Sequence, residues 1–346
     1  MTLLPTAFSR AHTDPYTGVD FNLGFEVTHY TLDLNYRVEP NLLQGEAILS
    51  VRAVEELTSL TLDLGGAMVA RRVTAKHAPR VAKFRQSSGK LRLRFASEIP
   101  AGTEFELHIR YGGSPRPIRT TWGEIGWEET ESGSLVASQP NGAPSWFPCD
   151  DTPSEKATYD IIITADSPFT VISNGELVSR KAGGSTTRWH YRTRHPMATY
   201  LATVQVGEFS SYALGADTQA WAPAFLRERV REEFSQQQEM VDFFSSIYGP
   251  YPSPPIRSSL PRMSWRFPSR PKACPFLVPT MSRAITPSRG SSPTSFPTSG
   301  LAIPSAFLRG RISGSMRVLP ATASGYGAST RGPRPRARRR ARITRS

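Results

Sequence analysis

The sequence predicts a mainly β protein: an antiparallel β-sandwich or saddle, then one or two helices that begin a truncated second domain, then a basic tail. Three observations support this fold class. Apolar and polar residues alternate with a period of two from Glu26 to Tyr212, as in half-buried strands. Turn-forming residues separate the alternating segments. Residues 252–346 contain no Asp or Glu, whereas residues 1–251 carry all 29 acidic residues of the chain.

The alternating segments define the strands of a first domain, which we place at residues 1–212. These strands are predicted at Thr28–Arg37, Glu46–Ala53, Ser59–Leu64, Leu91–Phe95, Glu104–Tyr111, Thr158–Thr164, Thr170–Ile172, Thr187–Tyr191 and Ala198–Val206. Turn signals such as Gly65-Gly66, Asn174-Gly175 and Gly183-Gly184 lie between them. Many short strands without a long helix between them favour antiparallel pairing.

An amphipathic helix follows and begins a second domain, which we place at residues 213–251. Its apolar stripe is made of Val230, Phe234, Val241, Phe244 and Tyr248, at spacings that bring them onto one helical face. The pattern predicts one helix over about residues 225–248, closed by the Gly-Pro pair that follows it.

The third segment, residues 252–346, differs from the rest in charge and composition. The formal net charge of +13 divides unevenly, because residues 1–251 carry 24 Lys and Arg against 29 acids and residues 252–346 carry 18 against none. The segment also holds 15 of the 30 prolines. Such a composition offers too few periodic apolar residues to bury a core, so we predict that the tail is disordered and that regular structure ends at Pro252.

Cysteine content and hydropathy indicate in which cellular compartment the protein is located. Cys149 and Cys274 provide no disulfide framework of the kind that small secreted domains need. The segment Met1–Gly18 lacks a signal-peptide pattern, and no apolar stretch approaches the length of a membrane span. We therefore expect a cytoplasmic protein without a membrane partner, and the sequence does not indicate its oligomeric state.

The sequence contains few recognisable catalytic or metal-binding motifs. A zinc site of the H-E-x-x-H type needs two His residues one helical turn apart, and no such pair occurs. His190 and His195 are five residues apart in or beside a strand, so they point to opposite faces and are expected to be surface residues. In the Asp150-Asp151 pair, the Asp151 side chain is expected to cap a local turn. A Gly-rich phosphate loop and a G-x-S-x-G elbow are also absent from the sequence.

Four ordered motifs carry a family resemblance. They are Ser138–Asp160 (SQPNGAPSWFPCDDTPSEKATYD), Ser173–Leu177 (SNGEL), Trp189–Tyr191 (WHY) and Pro196–Val204 (PMATYLATV). Together they resemble the N-terminal β-domain of zinc metallo-aminopeptidases of the aminopeptidase N and leukotriene hydrolase type, over roughly residues 15–251.

The resemblance implies a hydrolase that uses zinc and acts on peptide substrates. In that family the loop at the start of the first motif lies over the active site, and a Gln or Glu in it binds the free amino group of the substrate. Gln139 and Asn141 are the nearest matches, although Asn141 stands where the family prefers Gln or Glu. An ordinary polar loop is the alternative interpretation of both residues.

The resemblance extends through Phe243–Tyr251 (FFSSIYGPY), similar to the helix that opens the family's catalytic domain, and it stops at Pro252. A reading frame shifted by one base explains the stop. With permitted synonymous codons, Pro293–Ile303 can spell H-E-L-S-H-Q-W-F-G-N in the shifted frame, and Gly314–Pro320 can spell L-H-E-G-F-A. We hypothesise a one-base slip near residues 252–255. On this hypothesis the chain itself has no zinc site and no catalytic residues, and it is inactive.

Two other functions stay open. Arg331–Arg345 contains eight arginines and would bind nucleic acid or other polyanions, non-specifically on our interpretation, by releasing counterions. No interleaved aromatic residues accompany this cluster. Alternatively, residues 1–251 form a non-catalytic β-domain scaffold derived from the same family.

Overall fold

The computed structural model of the chain describes residues 13–14, 17–216, 218–250, 256–259 and 276–278, the last segment as backbone. Strands dominate the described part. The first ten are β1 (Phe25–Arg37), β2 (Leu42–Ala53), β3 (Leu57–Asp63), β4 (Met68–Lys76), β5 (Val81–Ser87), β6 (Lys90–Ile99), β7 (Glu104–Gly113), β8 (Ile118–Thr120), β9 (Gly123–Thr130) and β10 (Gly133–Ala137).

The second half of the described part adds more short strands and both α-helices. The strands are β11 (Thr158–Asp166), β12 (Thr170–Ser173), β13 (Glu176–Ala182), β14 (Thr186–Arg192), β15 (Val204–Gly207), β16 (Ser210–Ala213), β17 (Thr218–Ala222), β18 (Ile256–Ser259) and β19 (Phe276–Val278). The helices are α1 (Arg227–Glu233) and α2 (Gln237–Tyr248). None of the helices in the described ranges is long and apolar enough to cross a membrane.

A seven-stranded sheet organises the first domain, in the order β13-β14-β11-β1-β2-β7-β4. Inward-facing residues alternate with outer ones along its central strand β1, as the sequence pattern predicts. Pairing in this sheet is antiparallel, as predicted, except at the centre, where β1 runs parallel to β11, with His29 opposite Thr158. The two strands are far apart in sequence, so the long intervening chain supplies the crossover that parallel pairing requires.

Two smaller sheets complete the first domain around one hydrophobic core. One has five strands in the order β12-β15-β10-β9-β8, and the other has three in the order β3-β6-β5. Large buried side chains such as Trp127, Trp146 and Tyr30 lie in the same core as the inward faces of the large sheet. The mainly β fold class is therefore confirmed.

A second, smaller unit follows the first domain. Strands β16, β17, β18 and β19 form a four-stranded sheet, and Val230 and Phe234 pack against Ala220 and Ala222 in a separate small core. The long helix that was predicted over residues 225–248 is divided in two, with a break from Phe234 to Gln236. Phe234 is buried in the small core at this break.

Two further expectations need correction. Regular structure does not end at Pro252, because Ile256–Ser259 pairs in parallel with β17 and Phe276–Val278 pairs with Ile256–Ser259. The predicted disorder of the remaining tail lies outside the described residues. The strand predicted at Ala198–Val206 is instead a 3₁₀ turn at Thr199–Leu201 followed by the short β15. The boundary near residue 212 stays a prediction.

Candidate functional site: the loop from Ser138 to Thr152

The loop between β10 and β11 carries both residues that the sequence analysis selected, Gln139 and Asn141. Its first turn closes with a hydrogen bond of 2.6 Å from the Gly142 amide to the Ser138 carbonyl. A 3₁₀ turn at Ala143–Ser145 follows and is buried throughout. A Cβ on Gly142 would lie 2.9 Å from the Cα of Ser138, so only glycine fits this turn without movement of the backbone.

Gln139 and Asn141 point to different environments. Gln139 is exposed at the tip of the turn, whereas Asn141 is only 8% exposed. The Asn141 side-chain amide donates a hydrogen bond of 3.4 Å to the Thr17 carbonyl. The loop therefore offers one polar side chain to solvent and directs the other toward the N-terminal segment.

Aromatic packing fixes the base of the loop. Trp146 contacts Phe147 at a ring-centroid distance of 4.5 Å, and Phe147 contacts Tyr30 of β1 at 5.6 Å, both edge to face. Ser145 adds a polar contact, because its Oγ accepts a hydrogen bond of 3.0 Å from the Trp127 amide. These contacts bind the loop to the central sheet and to β9, so the exposed tip stands on a closely packed base.

Backbone hydrogen bonds attach the same loop to the end of β3. The Asp63 amide donates to the Cys149 carbonyl at 2.7 Å, and the Cys149 amide donates back to the Asp63 carbonyl at 3.0 Å. The Gly65 amide donates to the Pro144 carbonyl at 2.7 Å. The loop is thus held along its length by main-chain as well as side-chain contacts.

A buried cluster of three carboxyl groups lies where the loop leaves this base. The side chains are those of Asp63, Asp150 and Asp151, all buried. Asn22 connects two of them, since its Nδ2 donates to Asp63 Oδ2 at 2.6 Å and to Asp150 Oδ1 at 3.0 Å. Lys90 Nζ lies 2.7 Å from Asp63 Oδ1 and supplies the positive charge of the cluster.

The capping residue of the turn that follows is Asp150, not Asp151 as predicted. Asp150 Oδ1 accepts hydrogen bonds from the Thr152 amide at 3.2 Å and from the Thr152 hydroxyl at 2.7 Å. Asp151 instead accepts a bond of 2.8 Å from the Thr199 hydroxyl, in the 3₁₀ turn that replaces the predicted strand. The adjacent side chains diverge, as expected for neighbours in an extended segment.

Burial controls the ionisation of this region. It raises the pKa of Asp150 to about 6, with a smaller contribution from the charge of Asp63 and with opposing hydrogen bonds from Thr152 and Asn22. Burial, followed by the charge of Asp63, raises the pKa of Asp151 well above its ordinary value. The Cys149 thiol is also fully buried, and burial raises its pKa well above the usual range, so it is not a candidate nucleophile.

Two histidines, His29 and His190, form a different contact group on the large sheet. His29 Nε2 lies 3.3 Å from Asp160 Oδ2, and His190 Nε2 also contacts Asp160, which accepts a further bond of 2.8 Å from Arg192 Nε. His190 therefore lies on strand β14, as predicted, but it is half-buried and contacts a carboxylate that also pairs with Arg192. His195 lies outside the strand that carries His190 and is partly exposed.

The described residues do not fit the zinc ion that the family resemblance implies. Within the ranges that the structure describes, no group of three or more His, Cys, Asp or Glu side chains is arranged to hold a metal ion. Around Asp160 the ring nitrogens of His29 already contact Thr158, Thr31 and the carboxylate, and the Arg192 guanidinium adds a positive charge. No chemical step is assigned to a metal in this part of the chain.

Sequence reasoning missed the residues that support the loop. Asn22, Asp63 and Lys90 belong to segments distant from it in sequence, and none lies in a recognisable motif. The only local signal was the unusual pair Asp150-Asp151, which indicated a turn but not a buried charge cluster.

The loop and the sheets that carry it match a known domain. Residues 26–201, about half of the chain, match the model of the Peptidase M1 N-terminal domain. The chain therefore belongs to the M1 family of zinc aminopeptidases and corresponds to its N-terminal part. The family resemblance found in the sequence is confirmed.

Individual relatives agree with this assignment. Aminopeptidase B of Mus musculus is 25% identical over 257 residues, which is 66% of this chain and 38% of that protein. Leukotriene A-4 hydrolase of Xenopus laevis is 24% identical over 242 residues, 66% of this chain and 39% of that protein. The chain thus spans about two fifths of the length of these relatives.

Solved structures show the same fold. An M1 zinc metallopeptidase from Deinococcus radiodurans superposes with a TM-score of 0.58 at 24% identity, over 69% of this chain and 56% of that chain. Yeast LTA4 hydrolase superposes with a TM-score of 0.58 at 19% identity, over 75% of this chain and 42% of that chain.

Proposed function

We propose that this chain supplies the N-terminal β-domain and the first helices of the catalytic domain of a zinc-dependent aminopeptidase, which removes residues from the N-terminus of peptides. The observation that carries the proposal is the family match over residues 26–201. Relatives named aminopeptidase B and leucine aminopeptidase 2 support the reaction type. The Deinococcus radiodurans enzyme with a bound Tyr-Ser-Ala substrate supports a peptide as the substrate class.

Within this function, Gln139 is proposed to bind the free amino group of the peptide. Its side-chain oxygen can accept a hydrogen bond from an ammonium group, and its exposed position on a closely packed base leaves that oxygen accessible. Asn141, the other candidate, is only 8% exposed, and its acceptor oxygen Oδ1 is buried while its Nδ2 donates to the Thr17 carbonyl. Its proposed contribution to substrate binding is therefore indirect, through the shape of the turn.

The test is Gln139→Ala in an enzyme whose catalytic reading frame has been restored. Loss of one hydrogen bond to a charged group is expected to lower kcat/KM about 10- to 100-fold, mainly through KM, with little change in Tm. Asn141→Ala is the matched comparison, because loss of its buried hydrogen bond should reduce stability by ~1 kcal/mol. Unchanged kinetics in the Gln139 variant would remove this residue from the substrate site.

We further propose that the 346-residue chain itself hydrolyses no peptide. The support is in the sequence: with permitted synonymous codons, residues beyond Pro252 can spell H-E-L-S-H-Q-W-F-G-N and L-H-E-G-F-A when they are read one base out of frame. The bases that encode Pro293–Ile303 decide the point directly. Assays of the chain as given and of the frame-restored protein on an aminoacyl substrate should show activity in the second alone, and hydrolysis by the first would contradict the proposal.

Two alternatives remain as candidate functions. The arginine cluster at 331–345 favours polyanion binding by charge alone. A non-catalytic scaffold is compatible with the same β-domain. A frame-restored protein that folds but cleaves no peptide would favour the scaffold over the aminopeptidase.

The cytoplasmic location is also a proposal. It is supported by the cysteine count, and the described Cys149 is a buried free thiol. Fractionation of cells that express the tagged chain would test it, and recovery from a secreted fraction would overturn it.

A further inference from the structure

A polar cavity of about 170 Å³ opens on the large sheet, over strands β2, β7 and β4. Its lining side chains are Glu46 of β2, His108 and Arg110 of β7, and Arg72 and Thr74 of β4. Their neighbours along the strands, Ala47, Ile109 and Val73, lie in the hydrophobic core. Because side chains alternate between the two faces of a strand, the cavity lies on the face turned away from that core. We call this cavity the sheet pocket.

Strand pairing holds the lining residues of the sheet pocket in place. Glu46 is paired with Arg110, and Arg110 is paired with Arg72, so these three residues form one row across the strands. His108 is paired with Thr74 in the next row on the same face. Paired residues on one face have Cβ atoms about 4.5–5.5 Å apart, so their polar groups surround one small space. A site on paired strands is also held more precisely than a site on a loop.

The arginines of the sheet pocket are poorly matched with carboxylates. Arg110 Nε lies 3.7 Å from Glu46 Oε1, which is too long for a hydrogen bond. Within the part of the chain that the structure describes, Arg72 has no hydrogen bond or ion pair. Elsewhere on the same sheet, Arg188 makes two hydrogen bonds of 2.8 Å to Asp33. The pocket therefore has guanidinium donors that the protein itself does not saturate.

The sheet pocket also contains hydrogen-bond acceptors. Glu46 Oε1 lies 3.7 Å from His108 Nδ1, and His108 Nε2 is hydrogen-bonded at 3.0 Å to Glu106 Oε2. That hydrogen bond holds the pKa of Glu106 below its ordinary value, so Glu106 is ionised and can only accept. The proton of a neutral His108 ring is therefore on Nε2, and Nδ1 is left as an acceptor beside the Glu46 carboxylate.

This combination of donors and acceptors selects a small anion that also carries a proton. Guanidinium groups match the oxygens of phosphate, which accept strong hydrogen bonds from them. Inorganic phosphate at neutral pH also keeps an O–H group, which can donate to Glu46 or to His108 Nδ1. Sulfate has the same tetrahedral shape but keeps no proton, so it would place a bare negative oxygen against the Glu46 carboxylate.

We infer that the sheet pocket binds inorganic phosphate. Arg72 and Arg110 donate to the charged oxygens, the Thr74 hydroxyl is a third donor, and Glu46 accepts from the phosphate O–H. The cavity of about 170 Å³ is far larger than the roughly 10–15 Å³ that one water molecule requires, so it has room for the anion and for bound water. The inference goes beyond the proposed aminopeptidase function and does not depend on it.

The test is isothermal titration of the full 346-residue chain with inorganic phosphate at neutral pH and about 0.15 M NaCl. Phosphate should bind to the original chain. Arg72→Gln and Arg110→Gln should each weaken binding about 10- to 100-fold, because each removes a hydrogen bond between charged groups. The Tm without phosphate should stay the same, since both side chains are exposed.

Arg94→Gln is the matched control. Arg94 is an exposed arginine on β6 of the three-stranded sheet, so its substitution removes the same charge outside the pocket and should leave phosphate binding unchanged. All of these variants keep the arginines at 331–345, so any non-specific binding by that cluster is equal in them. Equal affinity for phosphate in the Arg72 and Arg94 variants would overturn the inference, as would a lack of phosphate binding by the original chain.

Two further anions test the contribution of the phosphate proton. Sulfate should bind to the original chain at least about tenfold more weakly than phosphate, because it has no proton to share with Glu46. Phenyl phosphate, whose second pKa is about 6, has no O–H at neutral pH and should be similarly weak. Glu46→Gln, whose amide can donate, should bring the affinity for sulfate close to that for phosphate. Sulfate or phenyl phosphate that binds to the original chain as tightly as phosphate would overturn the inference.

Discussion

At the scale of single residues, Asp150 and Asp151 place two carboxyl groups where water does not reach them. Asp150 is 1% exposed and Asp151 is 2% exposed. The neutral carboxyl form is favoured in such surroundings, so folding raises the pKa of both groups. Stability from a group with a raised pKa is fully present below its unfolded pKa and is lost as the pH rises through its folded pKa.

For Asp150 the window lies between its ordinary pKa of 3.8 and its folded pKa of about 6. The contribution of Asp150 to the free energy of unfolding should therefore fall by about 3 kcal/mol across this range. Asp150→Asn, which cannot ionise, should flatten the fall when urea unfolding is measured at several pH values from 4 upward. Glu55→Gln on the surface is the control, and an equally steep fall in the Asp150 variant would contradict the assignment.

Asp160 acts in the opposite direction at lower pH. Burial alone would raise its pKa, but hydrogen bonds from His190 and Arg192 outweigh burial and lower it. The contribution of Asp160 to the free energy of unfolding is present above its unfolded pKa and is lost as the pH falls. The effects of Asp150 and Asp160 therefore occur in different pH ranges. Measurements that start at pH 4 avoid the Asp160 effect, and the difference between the original chain and Asp150→Asn separates Asp150 from Asp151, whose pKa is raised as well.

At the scale of secondary-structure elements, tight turns hold the strands in register. Gly175, between β12 and β13, has a φ of +84°, and a Cβ there would lie 2.1 Å from the Arg192 carbonyl oxygen. Gly184, between β13 and β14, has open space around the same position. Gly175 thus lies in the turn that connects the five-stranded sheet to the seven-stranded one, Gly184 lies in a hairpin of the seven-stranded sheet, and only Gly175 is sterically constrained.

Gly175→Ala should reduce the free energy of unfolding by roughly 2–4 kcal/mol, because it combines an unfavourable φ with a backbone overlap. Gly184→Ala should change it by less than about 0.5 kcal/mol. Thermal or urea unfolding of the two variants side by side gives the comparison. Similar stabilities for both would show that the backbone around Gly175 adjusts freely.

The same scale shows which parts of the fold were predictable. Strands β1, β2 and β7 have one buried face, so their alternating sequences predicted them. Strand β13 exposes most of both faces and pairs on one side only, which leaves no period of two to detect. The parallel contact of β1 with β11 has no local signal at all, because its register depends on residues more than 120 positions apart.

The candidate site was predictable only in outline. The motif around Trp146 identified the loop, and the structure places Gln139 at its exposed tip. The inward orientation of Asn141 and the contribution of Asp63 depend on contacts between distant segments. Such contacts follow from packing, which the sequence pattern does not encode locally.

At the scale of the whole molecule, charge is strongly asymmetric between the first 251 residues and the remainder. Eight arginines at 331–345 should bind single- or double-stranded DNA at low salt. If the cluster makes about 6–10 phosphate contacts, the affinity should fall roughly 10³- to 10⁵-fold between about 50 and 200 mM salt. Fluorescence anisotropy at several salt concentrations measures this.

A matched chain that lacks residues 331–346 should lose the low-salt binding. Affinity that persists near physiological salt and depends on nucleic-acid sequence would instead indicate a selected binding function. That result would favour polyanion binding as the function of the tail over an arginine-rich tail that has no selected function.

The parallel pairing of β1 with β11 also has a consequence for synthesis of the chain. Strands β1, β2, β4 and β7 of the large sheet are synthesised first. Their partners β11, β13 and β14 lie within residues 158–192 and are synthesised later. Shorter nascent chains lack three of the seven strands and are expected to remain bound by chaperones. All seven strands are made before translation arrives at Pro252, so the hypothesised slip in the reading frame would leave the large sheet with its full set of strands.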